Sequence, residues 1–228
     1  MQFPKKWLQG NTLGELITSE LRLKIVSGQI PKDIILSENQ IAKEFKTSRS
    51  PVREAFKTLS TEGLVSLARM GAVVLGLTQQ DIDELYDVRF MLENFASQRI
   101  LPDFNEEKAV KFNRILDMME LAANHNDHME FSYHDLLFHE TIIIEADHKR
   151  IFHFWNNVRH IVLCFLIVAT EKRFSENKKQ IKAVLEGHRL LVETFLTKDS
   201  TRLQNLIEDH FLDTRKTVVN AYFNRKNN

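Results

Sequence analysis

The sequence predicts a mainly α protein in two parts, an N-terminal winged helix-turn-helix followed by a C-terminal all-α six-helix bundle. Three observations point there. Glycine and proline are scarce, 7 and 4 in 228 residues, which favours helices over a turn-rich β fold. Apolar residues recur at helical spacing along most of the chain. In the N-terminal part, LVSLARMGAVVLGL at 64–77 reads instead as two short apolar or β-branched runs around a turn.

Length and composition set the outer limits. With 43% hydrophobic and 27% charged residues, the chain can bury a core in two modest domains. Its one cysteine, Cys164, lies inside IVLCFLIVA and reads as a small buried hydrophobe, so nothing calls for an oxidising compartment. The opening MQFPKKWLQG has lysines but no apolar segment behind them, unlike a signal peptide. The apolar run from Ile161 to Ala169 is shorter than the ~20 residues that span a bilayer. A cytoplasmic location is expected. Net charge is zero, but residues 1–77 hold 11 Lys and Arg against 7 Asp and Glu, and the remainder 20 against 24. The basic first part predicts a polyanionic partner for that part alone.

The N-terminal part, 1–77, yields its elements in order. Leu13, Leu16, Ile17, Leu21 and Ile25 space a first helix that Gly28 ends. Ser37 and Gln40 form a capping-box pattern before Ile41, Ala42 and Phe45, the stripe of a short second helix. Lys46-Thr47 make a tight turn. Ser48 then caps a third helix running to Glu62, with Gly63 at its left-handed C′ position. Pro51 is tolerated in the first turn, where backbone N–H groups have no helical partner. Three helices and a hairpin make the winged helix-turn-helix.

The third helix, from SRSPVREAF onward, buries Val52, Ala55, Phe56 and Leu59 and leaves Arg49, Arg53 and Lys57 on another face. A recognition helix enters the major groove by its N-terminal end. Arginine there can grip a guanine edge with two hydrogen bonds. The alternative is a solvated basic face balanced by Glu54 and Glu62.

SRSPVREAFKTLSTEGLV, preceded by LSENQIAKEF and followed by GAVV, resembles the DNA-binding domain of GntR-family transcription regulators from about Leu13 to Leu77. The resemblance implies DNA contacts from Ser48, Arg49, Ser50 and Arg53, and from Arg69, Met70 and Gly71 at a wing tip near the minor groove. Two positions depart from the family pattern. Pro31-Lys32-Asp33 stands where Pro-Gly is common, and Asn39 where arginine is common.

The second part, 78–228, opens at a Thr78 and Asp81 cap and reads as helices at about 79–100, 105–124, 127–146, 148–173, 177–198 and 200–224, with Ser200 the expected cap of the last. Polar residues interrupt three of the apolar stripes. Asp135 and His139 lie among Phe131, Phe138 and Ile142. His188 lies among Val184, Leu191, Val192 and Phe195, and His210 among Leu203, Leu206, Ile207, Phe211 and Thr214. Buried without partners, each would cost about 1–3 kcal/mol. A shared divalent ion satisfies all four. Asp135 and His139 are one turn apart on one face, and three imidazoles with a carboxylate suit Zn, alternatively Ni or Mn. A purely structural polar network is the competing account.

Asp-x-x-x-His followed by one histidine on each of two later helices resembles the effector-binding FCD domain of FadR-type GntR regulators, in its six-helix VanR-like form. By that resemblance Asp135, His139, His188 and His210 are metal ligands, and a small organic acid binds over the metal. Arg89 in YDVRFMLE matches an arginine common on the first helix of such domains; it could bind an effector carboxylate or pair with Glu93 at i+4 on the surface. The implied whole is a ligand-responsive regulator, not an enzyme, acting as a homodimer on a palindromic double-stranded operator with half-sites ~34 Å apart. A metal-dependent hydrolase fused to a DNA-binding head is the rival from another class. Against it, Ile143 stands where an HExxH motif needs its second histidine.

Overall fold

The structure, a computed structural model, describes residues 3, 4, 7, 12–176 and 178–224. Most of MQFPKKWLQG, and residue 177 where the fifth bundle helix is expected to start, lie outside the described residues. The chain divides into two compact units, 1–78 and 79–228.

In the first unit, α1 (Leu13–Val26), β1 (Ile35–Ser37), α2 (Glu38–Glu44), α3 (Arg49–Thr61), β2 (Val65–Ala68) and β3 (Gly71–Val74) follow one another. The core joins Ile17, Leu21 and Ile25 of α1 to Val52, Ala55, Phe56 and Leu59 of α3, with Leu64, Val65, Ala72 and Val74 beneath. Leu13, expected in the α1 stripe, is exposed beside a Thr12–Glu15 capping box that starts the helix. Arg22 on α1 donates from Nε and Nη2 to Glu62 at 2.7 and 2.6 Å, so this glutamate ties α1 to the end of α3 and does not balance the arginines of α3.

The sheet has three strands where the sequence predicts a hairpin. β3 lies between β1 and β2, antiparallel to both, with Ser37 opposite Gly71 and Val65 opposite Val74. Gly71 is required there, because a Cβ would come within 2.0 Å of the Leu36 carbonyl oxygen. Ser37 is the last residue of β1, and neither it nor Ser48 makes the side-chain cap that their positions predict. Asp33 takes φ +67, a left-handed conformation that aspartate tolerates better than most side chains. Its N–H donates to the Val74 carbonyl at 2.8 Å.

The second unit contains α4 (Gln79–Ile100), α5 (Glu106–Asn124), α6 (His128–Glu145), α7 (Lys149–Glu176), α8 (Lys178–Thr197) and α9 (Ser200–Asn224). α6 packs on α4, α5 and α7, and α9 on α4, α7 and α8. α7 is long and apolar enough to cross a membrane, but its run Ile161–Ala169 is buried among neighbouring helices of the bundle. Asn105 and Asp127 cap α5 and α6, accepting from Lys108 N and Glu130 N. The last helix is capped by Asp199, which accepts from Arg202 N at 2.9 Å. Ser200, the expected cap, instead donates to Gln98 at 3.1 Å.

Candidate functional site

Each unit holds one cluster of functional side chains. In the first, Ser48, Ser50, Arg53 and Lys57 are exposed along α3 and Arg49 is partly so, while Val52, Ala55, Phe56 and Leu59 face the core. Both arginines meet Glu38, the first residue of α2. Arg49 Nε donates to its Oε2 at 2.7 Å, and Arg53 Nε lies 3.0 and 2.9 Å from its two oxygens. Glu38 is 8% exposed against 41% and 55% for the two guanidinium side chains, so the carboxylate sits at the base and the donors face out. Hydrogen bonds from Arg53 and then Arg49 hold its carboxyl below the usual glutamate range. Its backbone N–H also donates to the Met70 carbonyl at 3.2 Å, which joins the start of α2 to the β2–β3 turn.

Sequence reasoning missed Glu38, whose partners are 11 and 15 positions away on another helix. At the β2–β3 turn, Arg69 and Met70 are exposed. Gly71, expected with them at the tip, is buried in the sheet, so its side of the strand serves backbone packing.

In the second unit Asp135 and His139 of α6, His188 of α8 and His210 of α9 converge. His139, His188 and His210 each offer a ring nitrogen within 4.8 Å of the others. His188 Nε2 is 3.4 Å from His139 Nε2 and 3.0 Å from Asp135 Oδ1, and His139 Nε2 is 3.4 Å from that oxygen. Phe138 lies edge-on to His188, their centroids 4.6 Å apart, and Asp135, His139 and His188 are almost fully buried.

The proton positions follow from the outer partners. His188 Nδ1 faces the Val184 carbonyl at 2.8 Å; a carbonyl only accepts, so Nδ1 carries the hydrogen and Nε2 is the nitrogen turned toward the cluster. His139 Nδ1 rests against the Glu93 carboxylate as a close charged contact. His210 Nε2 and Asp135 Oδ1 are buried with no aligned donor among the described residues. Burial keeps His210 well below the ordinary imidazole value. Three ring nitrogens and a carboxylate oxygen therefore face one another, a donor set that one cation between them would satisfy. A tetrahedral ion with ~2.0–2.1 Å bonds sets its ligand atoms about 3.3 Å apart, close to the 3.0–3.4 Å among Asp135, His139 and His188; with His210 within 4.8 Å of the other two histidines, the donor types fit a transition metal.

Arg89 is 1% exposed and donates from Nε to Glu93 at 2.6 Å. The i+4 pair therefore forms, but it is buried and not on the surface. Arg89 also lies over Phe211, 4.9 Å from the ring centroid, and its Nη2 has no hydrogen-bond partner among the described residues. Glu93, Ser97, His139, Ile142, Leu191, Ile207, His210 and Phe211 line a cavity of about 10 Å³ beside the histidines, room for one water.

Comparison with known proteins agrees in both units. Residues 13–75 match the gntR family of bacterial regulatory proteins, and residues 84–213 match the FCD domain. A gluconate operon transcriptional repressor of Bacillus subtilis (strain 168) is 39% identical, over 98% of this chain and 92% of that protein. Another, of Bacillus licheniformis, is 37% identical over the same shares. The solved structure of E. coli McbR/YncC shares the fold, with a TM-score of 0.72 at 16% identity over 92% of this chain and 99% of that one. These relatives are regulators, and none supports a hydrolase. The chain belongs to the GntR family, a transcription regulator with an FCD effector-binding domain.

Proposed function

We propose that the protein is a metal-dependent, organic-acid-responsive repressor that grips a palindromic operator as a homodimer. The convergence of histidine lone pairs on Asp135 carries the sensing half of this reading. Asp135, His139, His188 and His210 would hold one divalent ion, and the bound ion would supply Lewis acidity toward an effector carboxylate. Arg89 Nη2, buried and unpaired, is the nearby donor suited to an anion. The full-length similarity to two gluconate operon repressors directs the effector class to sugar acids and the sign of control to repression.

Ser48, Arg49, Ser50 and Arg53 would meet the major groove, Lys57 a phosphate, and Arg69 and Met70 the minor groove. Glu38 would hold the two arginines in a common orientation before DNA arrives, which lowers the ordering cost of a two-bond grip on guanine. By linkage, an effector that weakens operator binding is itself bound less tightly by the DNA-bound form.

The test is a thermal-shift screen of gluconate and other small carboxylic acids, with and without chelator, alongside metal analysis of the purified chain. About one transition-metal equivalent, and a ligand shift that chelator abolishes, are expected. Metal-free protein with the same ligand shift would refute the metal-dependent reading and favour a polar network.

A further inference from the structure

The four candidate ligands need fixed orientations, and their supports differ. His188 is held by a carbonyl of its own helix. His139 is held by a side chain from another helix, Glu93 of α4, and nothing in the ligand motif announces it. Glu93 is 2% exposed and uses both oxygens. Oε2 contacts His139 Nδ1, and Oε1 accepts from Arg89 Nε at 2.6 Å. Burial alone would raise its carboxyl, but Arg89 foremost holds it below the ordinary value.

We propose that Glu93 is the positioning residue of the candidate metal centre. By accepting the Nδ1 hydrogen it selects the tautomer and ring orientation in which the His139 Nε2 lone pair faces Asp135 and His188. Arg89 supplies the counter-charge that lets a carboxylate remain ionised there. An Arg–Glu pair serving stability alone would leave Oε2 without this contact. A carboxylate behind a ligating imidazole also raises the basicity of the nitrogen that binds. The proposal rests on the reading of Asp135, His139, His188 and His210 as a metal site.

Zinc titration of the metal-stripped full chain against a competing chelator tests it. Glu93→Gln keeps the side-chain shape but lets an amide donate to Nδ1; the expected loss is about 10–100-fold in zinc affinity. The double variant Arg89→Met/Glu93→Leu removes both buried charges together, which leaves no unpaired ion to unfold the bundle. It should unfold cooperatively and share the zinc loss. Nitrogen NMR of the metal-free protein should show His139 protonated at Nδ1 in the wild type and redistributed in both variants, a change that lost stability alone would not produce. Wild-type zinc affinity in folded variants would overturn the role of Glu93 and leave the metal site standing. A wild-type chain that takes up no zinc would overturn both.

Discussion

Around Glu38 two guanidiniums share one carboxylate, while around Asp135 three imidazoles turn ring nitrogens toward one another and one carboxylate oxygen. Both clusters are built of a few polar side chains from separate helices, but they are unbalanced in opposite senses. The first has more donors than its carboxylate can accept from, and its arginines are partly exposed. The second gathers ring nitrogens that can present lone pairs, and three of its four residues are almost completely buried. Surplus donors at a surface suit a polyanion; surplus lone pairs in a core suit a cation. The sign of the imbalance and its depth together support the partner proposed for each cluster.

The comparison can be broken most completely at the buried cluster. His188→Ala with His210→Ala removes two of the three imidazoles and should abolish stoichiometric metal, read by elemental analysis after dialysis. Retained metal would place the ion elsewhere. At the surface cluster, Arg49→Ala should cost about 1–3 kcal/mol of operator affinity and relax base preference at one position per half-site, measured by binding to a panel of substituted operators. An unchanged panel would detach Arg49 from base reading.

Glu38→Gln sharpens the contrast, because it frees both arginines without removing them. Non-specific DNA affinity should rise by several-fold and the ratio of operator to random DNA should fall. The same variant has a pH signature. The arginines lower the folded-state pKa of Glu38, so its contribution to stability is present above the unfolded value and is lost as pH falls through the folded one. Acid titration of unfolding should show less of that loss in Glu38→Gln. Lys57→Ala, the mildest change, should weaken all DNA sequences alike and lower the salt slope by about 1.

Much of this molecule was legible in one dimension because its helices carry their periodicity locally. The predicted bundle helices at 79–100 and 105–124 match Gln79–Ile100 and Glu106–Asn124 to within a residue, and the four converging residues stood out as polar breaks in apolar stripes. What was not legible depends on partners distant in sequence. Three-residue β1 is too short to show a pattern, and its pairing with β3 spans more than thirty positions. Glu38 and Glu93 look like ordinary surface acids until α3 and α6 are packed beside them. Cap bonding differed for local reasons. Ser37 and Ser48 stand at the N-cap positions of α2 and α3 but make no side-chain bond there, and Asp199, one residue earlier, replaces Ser200.

The small chamber beside the histidines also has a kinetic consequence. If the proposed effector binds there, it enters only when the side chains around the chamber move apart, and its uptake would be gated by breathing of the bundle. Measured affinity is then the intrinsic affinity reduced by the fraction of time the chamber stands open. A substitution that loosens Ile207 or Leu191 on the chamber wall would therefore quicken and tighten ligand capture without touching a single group that recognises the ligand.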